Sequence, residues 1–308
     1  MSTEKPGQGE TLSTANDQPR KVSPAETLLH AHPAEGAEVA PEAGGGRASS
    51  PTPSAAEPEA PKEDWVEILK TVGFALLIAL VLRTVLFQPF TIPSASMEPN
   101  LYEGDYLVVS KWNYGYSRYS MPFPALWPFR GRLFDQQAHR GDIVVFKLPT
   151  DNKTDYIKRI IGIPGDQVQM RDGLLYVNDQ PVKDVKVGDA TALYGPGIPH
   201  QANLIQETLP TGKTFMRQDI VPNAYDAEYV TKLDNTATFT VPAHEYFMMG
   251  DNRRNSDDSR ADVGFVPEAN LEGKAQMILF SWYPGASLWK PWTWVTKLRP
   301  SRFFKPLV

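Results

Sequence analysis

The sequence contains no cysteine in its 308 residues. Disulfide bonds, thiolate zinc sites, iron–sulfur clusters and a cysteine nucleophile are therefore excluded. An excess of positive charge is also missing, because 31 basic and 36 acidic side chains leave a net charge of −5 without any long basic block. That balance argues against a dedicated nucleic-acid-binding protein and against nucleic acid as a partner.

Aromatic residues are absent from the first 64 positions, whereas the rest of the chain holds 7 Trp, 12 Tyr and 14 Phe. Residues 1–62 are rich in Ala, Pro, Glu, Gly and Ser instead. Such a stretch buries too little apolar surface to offset the entropy that is lost on ordering. We predict a disordered tail over 1–62, and its composition leaves open a role as a docking tail.

One long apolar segment follows this tail. Its strictly uncharged part, residues 71–82, makes only about 18 Å of helix, which is shorter than a bilayer core of about 30 Å. Extension to 68–87 supplies the needed length and places Lys70 and Arg83 near the two ends, where their long side chains can reach the interfaces. We predict a single transmembrane anchor over 65–88.

Two alternatives to the anchor stay open. A buried core helix is favoured by the short uncharged run. A cleaved secretion signal is favoured by the small residues Ser94, Ala95 and Ser96, although a polar head of 60 residues is a poor start for a signal peptide. Pro89 is expected to end the helix. The flanking Lys and Arg residues do not fix the orientation of an anchor.

Beyond Phe90 the chain alternates between β-branched runs and Gly, Asp or Pro, a pattern that predicts strands. The predicted strands are 106–110, 142–147, 156–161, 166–170, 174–177, 237–241, 246–249 and 275–280. Asp172-Gly173 predicts a tight hairpin turn. We therefore predict a mainly β fold, with an antiparallel barrel or sandwich as the main domain.

The domain boundaries follow from this pattern. We assign the β domain to 90–182 and 236–308, and a smaller inserted β subdomain to the poorly patterned stretch 183–235. The Trp-rich tail from Trp282 either packs as a C-terminal strap or contacts the membrane surface, where Trp beside Lys or Arg is favoured.

Several familiar sites are missing. The sequence has neither a Gly-x-Ser-x-Gly elbow nor a phosphate-binding Gly-x4-Gly-Lys loop. His244-Glu245 lacks the second His of a zinc protease, and Asp251–Asp258 has Ser256 where a calcium loop needs Gly. No metal and no cofactor is implied.

A constellation of four motifs remains. It consists of Ile92-Pro-Ser-Ala-Ser-Met97, Gly141-Asp-Ile-Val-Val-Phe146, Tyr156-Ile-Lys-Arg-Ile-Ile-Gly-Ile-Pro-Gly-Asp166 and Gly250-Asp-Asn-Arg-Arg-Asn-Ser-Asp-Asp-Ser-Arg260. In order and spacing they closely resemble the four signature boxes of bacterial type I signal peptidases. The resemblance implies a membrane-anchored serine endopeptidase that removes N-terminal signal peptides from exported preproteins through an acyl-enzyme, without a cofactor.

The resemblance also assigns roles to single residues. It implies Ser96 as nucleophile, Lys158 as general base, and Ser94 as an oxyanion-hole hydroxyl beside the backbone N–H of Ser96. It implies that Ser256 hydrogen-bonds and orients Lys158. A structural ion pair, Asp258 with Arg260, is expected to support the loop. We further expect shallow, apolar substrate pockets near Ile92, Met97, Val144 and Phe146.

The chemistry makes this pairing of residue types reasonable. A serine hydroxyl is a weak nucleophile until a base takes its proton. A free lysine has a pKa of about 10.4, so only about one in 2,500 is neutral at pH 7. Burial disfavours the charged form. On a strand, Tyr156, Lys158 and Ile160 share one face, which places the lysine among apolar neighbours. Without the other motifs, Lys158 would be interpreted as a solvated lysine on a strand edge.

The resemblance further implies a single-pass protein of the inner membrane, with the catalytic domain on the extracytoplasmic side and the tail in the cytoplasm. The implied partners are signal-peptide-bearing preproteins and membrane lipid, in the functional neighbourhood of the secretion translocon. Two alternatives remain. A self-cleaving repressor-type Ser/Lys protease would need a DNA-binding head, for which this tail has neither helical periodicity nor a basic patch. An anchored β-domain that only binds partners would leave the serine and lysine incidental.

Overall fold

The computed structural model describes most of the chain beyond the predicted tail, which itself lies outside the described residues. The described ranges are 65–121, 126–128, 131–194, 198–222, 227–285 and 292–307. The helices are α1 (Trp65–Val85), α2 (Ala227–Asp234) and α3 (Trp292–Lys297). The strands are β1 (Phe87–Thr91), β2 (Asp105–Ser110), β3 (Tyr116–Ser117), β4 (Arg132–Leu133), β5 (Ile143–Lys147), β6 (Asp155–Gly162), β7 (Gln167–Arg171), β8 (Leu174–Val177), β9 (Gln180–Pro181), β10 (Lys183–Tyr194), β11 (Ile198–Thr208), β12 (Thr214–Ile220), β13 (Phe239–Thr240), β14 (Glu245–Met249), β15 (Val266–Pro267), β16 (Leu271–Ser281) and β17 (Lys305–Pro306).

Helix α1 carries the long apolar segment. None of its 21 residues is buried, and its length of about 32 Å matches the bilayer core. Among the described residues it is the one helix long and apolar enough to cross a membrane. It ends at Val85 rather than at the predicted residue 88, because the chain pairs with β2 from Phe87 onward. Pro89 therefore lies in β1, on the edge of the sheet, where its missing N–H is tolerated.

An eight-stranded antiparallel sheet forms the centre of the fold. Its strand order is β1–β2–β16–β5–β6–β14–β15, and β17 pairs with β16. The long strand β16 pairs with β2, β5 and β17. Its pairings with β2 and β5 contain register shifts, which are typical of a bent strand. The predicted mainly β, antiparallel fold is confirmed by this arrangement.

Strand β5 is buried on both of its faces. Ile143 and Val145 pack into one apolar cluster with the residues around the β1–β2 connection. Val144 and Phe146 pack into a second cluster on the opposite face. This alternation follows directly from the two-residue period of a strand. Each side chain of this kind, when fully buried, stabilises the fold by about 1.5–3 kcal/mol.

The predicted hairpin at Asp172-Gly173 is confirmed. Strands β7 and β8 pair antiparallel through it, and both turn residues have positive φ, 49° for Asp172 and 77° for Gly173. That backbone conformation matches the turn type that Asp-Gly favours between two strands.

The stretch predicted as an insert contains a separate three-stranded sheet of order β10–β11–β12, followed by α2. Its first two strands are long, 12 and 11 residues, although the sequence shows little alternation there. A register shift between Lys186 and Gly188 breaks the pattern. The insert is β structure as predicted, and its exact limits at 183 and 235 stay a prediction.

The C-terminal segment is fastened to the main sheet by a buried ion pair. Arg302 donates to both carboxylate oxygens of Asp105, over 3.0 Å and 2.5 Å, and to the carbonyl oxygen of Asn100 over 2.9 Å. Asp105 is fully buried. The strap interpretation of this segment is thus realised by residues 302–307, whereas contact of the tail with lipid stays a prediction.

We expect Arg302→Ala to destabilise the fold by about 3 kcal/mol, because it leaves a buried carboxylate short of its main cationic partner. Denaturant unfolding in detergent would measure the loss. Arg171→Ala is the matched control, since the Arg171–Asp179 pair is exposed and should contribute no more than about 1 kcal/mol. Equal losses in the two variants would contradict the assigned role of Arg302.

Candidate active site

Ser96 lies in a short 3-10 turn, Ala95–Met97, that directly follows the edge strand β1. Its side chain faces inward, and Lys158 Nζ donates a hydrogen bond to Ser96 Oγ over 2.7 Å. The two residues are 62 positions apart in the sequence, so only the fold brings them together. The structure therefore joins the first two residues that the sequence analysis singled out.

Lys158 occupies an apolar position on β6. It pairs with Val144 across the ladder to β5, and its side chain is only 4% exposed. The Tyr156 ring lies 5.4 Å from Nζ, on the strand face that the sequence predicted. Burial lowers the pKa of Lys158 to about 8, and the negative charges of Asp258 and Asp257 oppose that effect in part. With that pKa about one lysine in ten is neutral at pH 7.

Ser94 precedes the turn in an extended conformation. Its Oγ lies 3.4 Å from Ser96 Oγ, and either hydroxyl can be the donor. The hydroxyl is therefore next to the atom that would attack a carbonyl carbon. Its role in an oxyanion hole stays a prediction.

Ser256 is buried, but its predicted hydrogen bond to Lys158 is not formed. Among the described residues, Ser256 Oγ has no hydrogen-bond partner. The side chain packs over Gly250 instead: a Cβ at position 250 would lie 2.2 Å from Ser256 Oγ. Ser256 thus packs against Gly250 within the loop, and the expected orientation of Lys158 by its hydroxyl is not what this geometry shows.

The predicted ion pair of the loop is present. Arg260 donates to Asp258 through two parallel hydrogen bonds of 3.0 Å and 2.8 Å, and both side chains are fully buried. Burial alone would raise the pKa of Asp258, but the Arg260 guanidinium and the Gly250 N–H hold it below its usual range. The pair therefore fixes the shape of residues 250–260 and keeps this carboxylate charged.

Two residues that connect the loop to its neighbours, Asn252 to the Ser96 turn and Asp251 to β6, were missed by the sequence reasoning. Asn252 donates from its backbone N–H to the Ser96 carbonyl oxygen and from its side chain to the Ala95 carbonyl oxygen, both over 3.1 Å. Asp251 accepts two hydrogen bonds of 2.8 Å from Arg159, the neighbour of Lys158. Their signal was available, because both lie inside the motif 250–260 already singled out.

A cleft of about 380 Å³ opens beside the Ser96–Lys158 pair. Its two walls are the segment 93–96 and the segment 154–158, and the loop contributes Asn255 and Asp257. Strand β14 pairs with β6 only from Arg159 onward, so β14 does not cover the edge of 155–158. A larger cavity of about 490 Å³ continues this cleft toward Arg83 and β1.

The expected pocket residues are placed differently from the prediction. Met97, Val144 and Phe146 have no exposed surface, because the alternation along β5 and the inward turn at Met97 direct them into the core. They line neither cavity. Ile92 contributes to the wall of the larger cavity, although it too is almost fully buried. Among the described residues, no group of three or more His, Asp or Glu is arranged to hold a metal ion.

A serine hydroxyl beside a buried amine is an arrangement that can activate the serine as a nucleophile. Residues 65–282 match the family model described as signal peptidase, peptidase S26. The chain is 39% identical to a signal peptidase I of Rickettsia rickettsii over 80% of this chain and 93% of that protein. It is 41% identical to a signal peptidase I of Rickettsia typhi over 76% and 90% of the two chains.

A solved structure of a signal peptidase I from Enterococcus faecalis is 27% identical, with a TM-score of 0.25, over 45% of this chain and 97% of that one. On the sequence matches, the chain belongs to the signal peptidase family, peptidase S26. The resemblance stated from the four motifs is confirmed, and the protein is a hydrolase of that family.

We expect Gly250→Ala to lower signal peptidase activity by about 100-fold. The new Cβ would lie 2.5 Å from the Cβ of Ser256 and 2.6 Å from the carbonyl oxygen of Ser96, so the loop and the Ser96 turn would have to separate. Gly188→Ala is the control, because a Cβ there meets no atom within 4 Å. Wild-type activity in Gly250→Ala would show that this close approach is not needed.

Proposed function

We propose that the chain is a membrane-anchored serine endopeptidase that removes N-terminal signal peptides from exported preproteins through a Ser96–Lys158 dyad. The observation that carries this proposal is the 2.7 Å contact between Ser96 Oγ and the buried Lys158 Nζ. A base with a pKa near the working pH is best suited to proton transfer, and burial moves Lys158 toward that range.

The reaction follows from this pair. Neutral Lys158 accepts the Ser96 proton while Oγ forms a bond to the carbonyl carbon of the scissile peptide. The resulting ammonium then protonates the leaving amine as the C–N bond breaks, which leaves the signal peptide esterified to Ser96. Lys158, neutral again, takes a proton from a water whose oxygen bonds to the ester carbonyl carbon. It returns that proton to Ser96 Oγ as the ester C–O bond breaks and the signal peptide leaves as a carboxylic acid. Ser94 Oγ, 3.4 Å from Ser96 Oγ, is suited to donate to the developing oxyanion.

The cleft between 93–96 and 154–158 fits an extended peptide. A substrate strand would add its main-chain hydrogen bonds to the uncovered edge of β6. Alternate side chains of that strand would point the same way, so the residues at −1 and −3 would both face the protein. Small side chains at these two positions are what the family resemblance leads us to expect.

The anchor brings this cleft to the membrane surface. Helix α1 exposes an apolar side chain on every face, and a single residue, Leu86, separates it from β1. A signal peptide held in lipid would present its cleavage site at the same level. We place α1 in the inner membrane and the catalytic domain on the extracytoplasmic side, with lipid as a direct partner and the translocon as a functional neighbour; the orientation follows the family resemblance.

Cleavage of a synthetic preprotein in detergent and in lipid vesicles tests the dyad. We expect Ser96→Ala and Lys158→Met each to lower kcat/KM by at least about 10³-fold. Ser301→Ala and Lys153→Met, both at exposed positions, are the matched controls and should retain activity. Activity that survives Ser96→Ala would favour the anchored β-domain that only binds partners.

The pH dependence of kcat/KM should reflect Lys158. Because the neutral amine is the active form, activity should rise with pH along an acid limb centred near the pKa of about 8. Asp257 stabilises the ammonium form from the rim of the cleft, so Asp257→Asn should move this limb to lower pH and raise activity at pH 7 about twofold. Asp189→Asn, in the insert, is the charge-matched control. A limb that moves to higher pH in Asp257→Asn would contradict Lys158 as the base.

A further inference from the structure

The inserted sheet is in direct contact with the active-site loop. The contact is made by Gln218 near the end of β12, which is 2% exposed. Its backbone N–H donates to the Asp251 carbonyl oxygen, and its carbonyl oxygen accepts from the Arg253 N–H, both over 3.0 Å. Gln218 and Asn252 thus face each other as a parallel bridge. Asn252, which donates to the Ser96 carbonyl oxygen, is therefore held in place by β12 of the insert.

The side chain of Gln218 reaches the nucleophile turn from the other side. Its Nε2 donates to Glu98 Oε2 over 3.1 Å. Glu98 is 6% exposed, and its own backbone N–H donates to the Ala95 carbonyl oxygen over 3.1 Å. Three connections therefore form a closed hydrogen-bond network. Gln218 holds Asn252 through the backbone and the Ser96 turn through Glu98. Asn252 in turn bonds directly to the Ser96 turn.

A second buried contact supports this network. Glu207 of β11 is fully buried and lies between two arginines, 2.6 Å from Arg253 and 3.0 Å from Arg217. Arg253 in turn donates to the Gly250 carbonyl oxygen over 3.2 Å. Glu207 of the insert therefore fixes the Gly250 carbonyl through Arg253. Gly250 is the residue that packs against Ser96 and Ser256.

We infer that Gln218 is a positioning residue for the cleavage reaction, and that through it the inserted sheet holds the Ser96 turn and the 250–260 loop in register. The inference rests on the proposed Ser96–Lys158 dyad. It assigns the insert a part in the active site that the four motifs do not contain. Asp251, Asp257 and Asp258 all belong to this loop and act on Lys158 through their negative charges. A displacement of the loop would therefore change the electrostatic potential at the Lys158 amine.

An exchange of the amide and the carboxylate tests the pair. Gln218→Glu places two carboxylates face to face, and Glu98→Gln leaves two amides. In the double variant Glu98→Gln/Gln218→Glu an amide again faces a carboxylate with the positions exchanged. The other ionisable groups that face Glu98 are Tyr102, Glu103, Arg299 and Arg302, and they are unchanged in every variant. Gln201→Ala, an exposed glutamine of β11, is the control.

We expect Gln218→Ala to lower kcat about tenfold with KM within twofold of wild type, and to displace the acid limb of kcat/KM. Gln218→Glu should lose more at pH 8, and the double variant should return to within about threefold of wild type. Thermal unfolding and circular dichroism establish that each variant folds. Where Gln218→Ala does not fold, the comparison of Gln218→Glu with the double variant decides.

The outcomes separate the two proposals. A Ser96→Ala variant that retains activity would refute the dyad. An inactive Ser96→Ala together with a Gln218→Ala of unchanged kcat and pH profile would refute the positioning role alone. The positioning role would also be refuted by a double variant that is no more active than Gln218→Glu.

Discussion

The removal of one lysine from water is the constraint on which the rest of the site depends. In the proposed dyad, Lys158 is neutral often enough to act as a base only while it stays buried beside Val144 and Tyr156. A carboxylate in contact with its amine would reverse the effect of burial. The two buried carboxylates of the loop are each engaged by an arginine instead, Asp258 by Arg260 and Asp251 by Arg159. The arginines therefore protect the low pKa of Lys158 as well as the shape of the loop.

The candidate site could be predicted from local sequence motifs, whereas the residues around it could not. Ser96, Lys158 and the Asp258–Arg260 pair lie in compact motifs, whose spacing carries the information. The positions of Met97, Val144 and Phe146 depend on which face of each strand meets the core, and that is set by pairing between distant segments. Alternation along β5 directs two of these side chains into the core, with Val144 opposite Lys158 and Phe146 opposite Tyr156.

The fold shows a similar division. Runs of β-branched residues and the Asp-Gly turn are local signals, and the strands at β2, β5, β6 and β8 are found within a residue or so of the predicted limits. The end of α1 is not local, because Phe87–Thr91 leaves the helix only to pair with β2. Strands β10 and β11 were also hidden, since a partly exposed sheet needs less apolar patterning than a buried one.

The insert supports the 250–260 loop, although the two segments are separate in the sequence. A loop of turn formers such as 250–260 gives up about 1–2 kcal/mol of backbone entropy for each residue that is fixed, and it has no strand ladder of its own to offset this. Strand β12 supplies ladder-type hydrogen bonds on one side of the loop, and the Ser96 turn supplies them on the other. Hydrogen bonds therefore join three segments that are remote in the sequence: the Ser96 turn, the loop and β12. The insert is consequently constrained where Gln218 and Glu207 meet the loop.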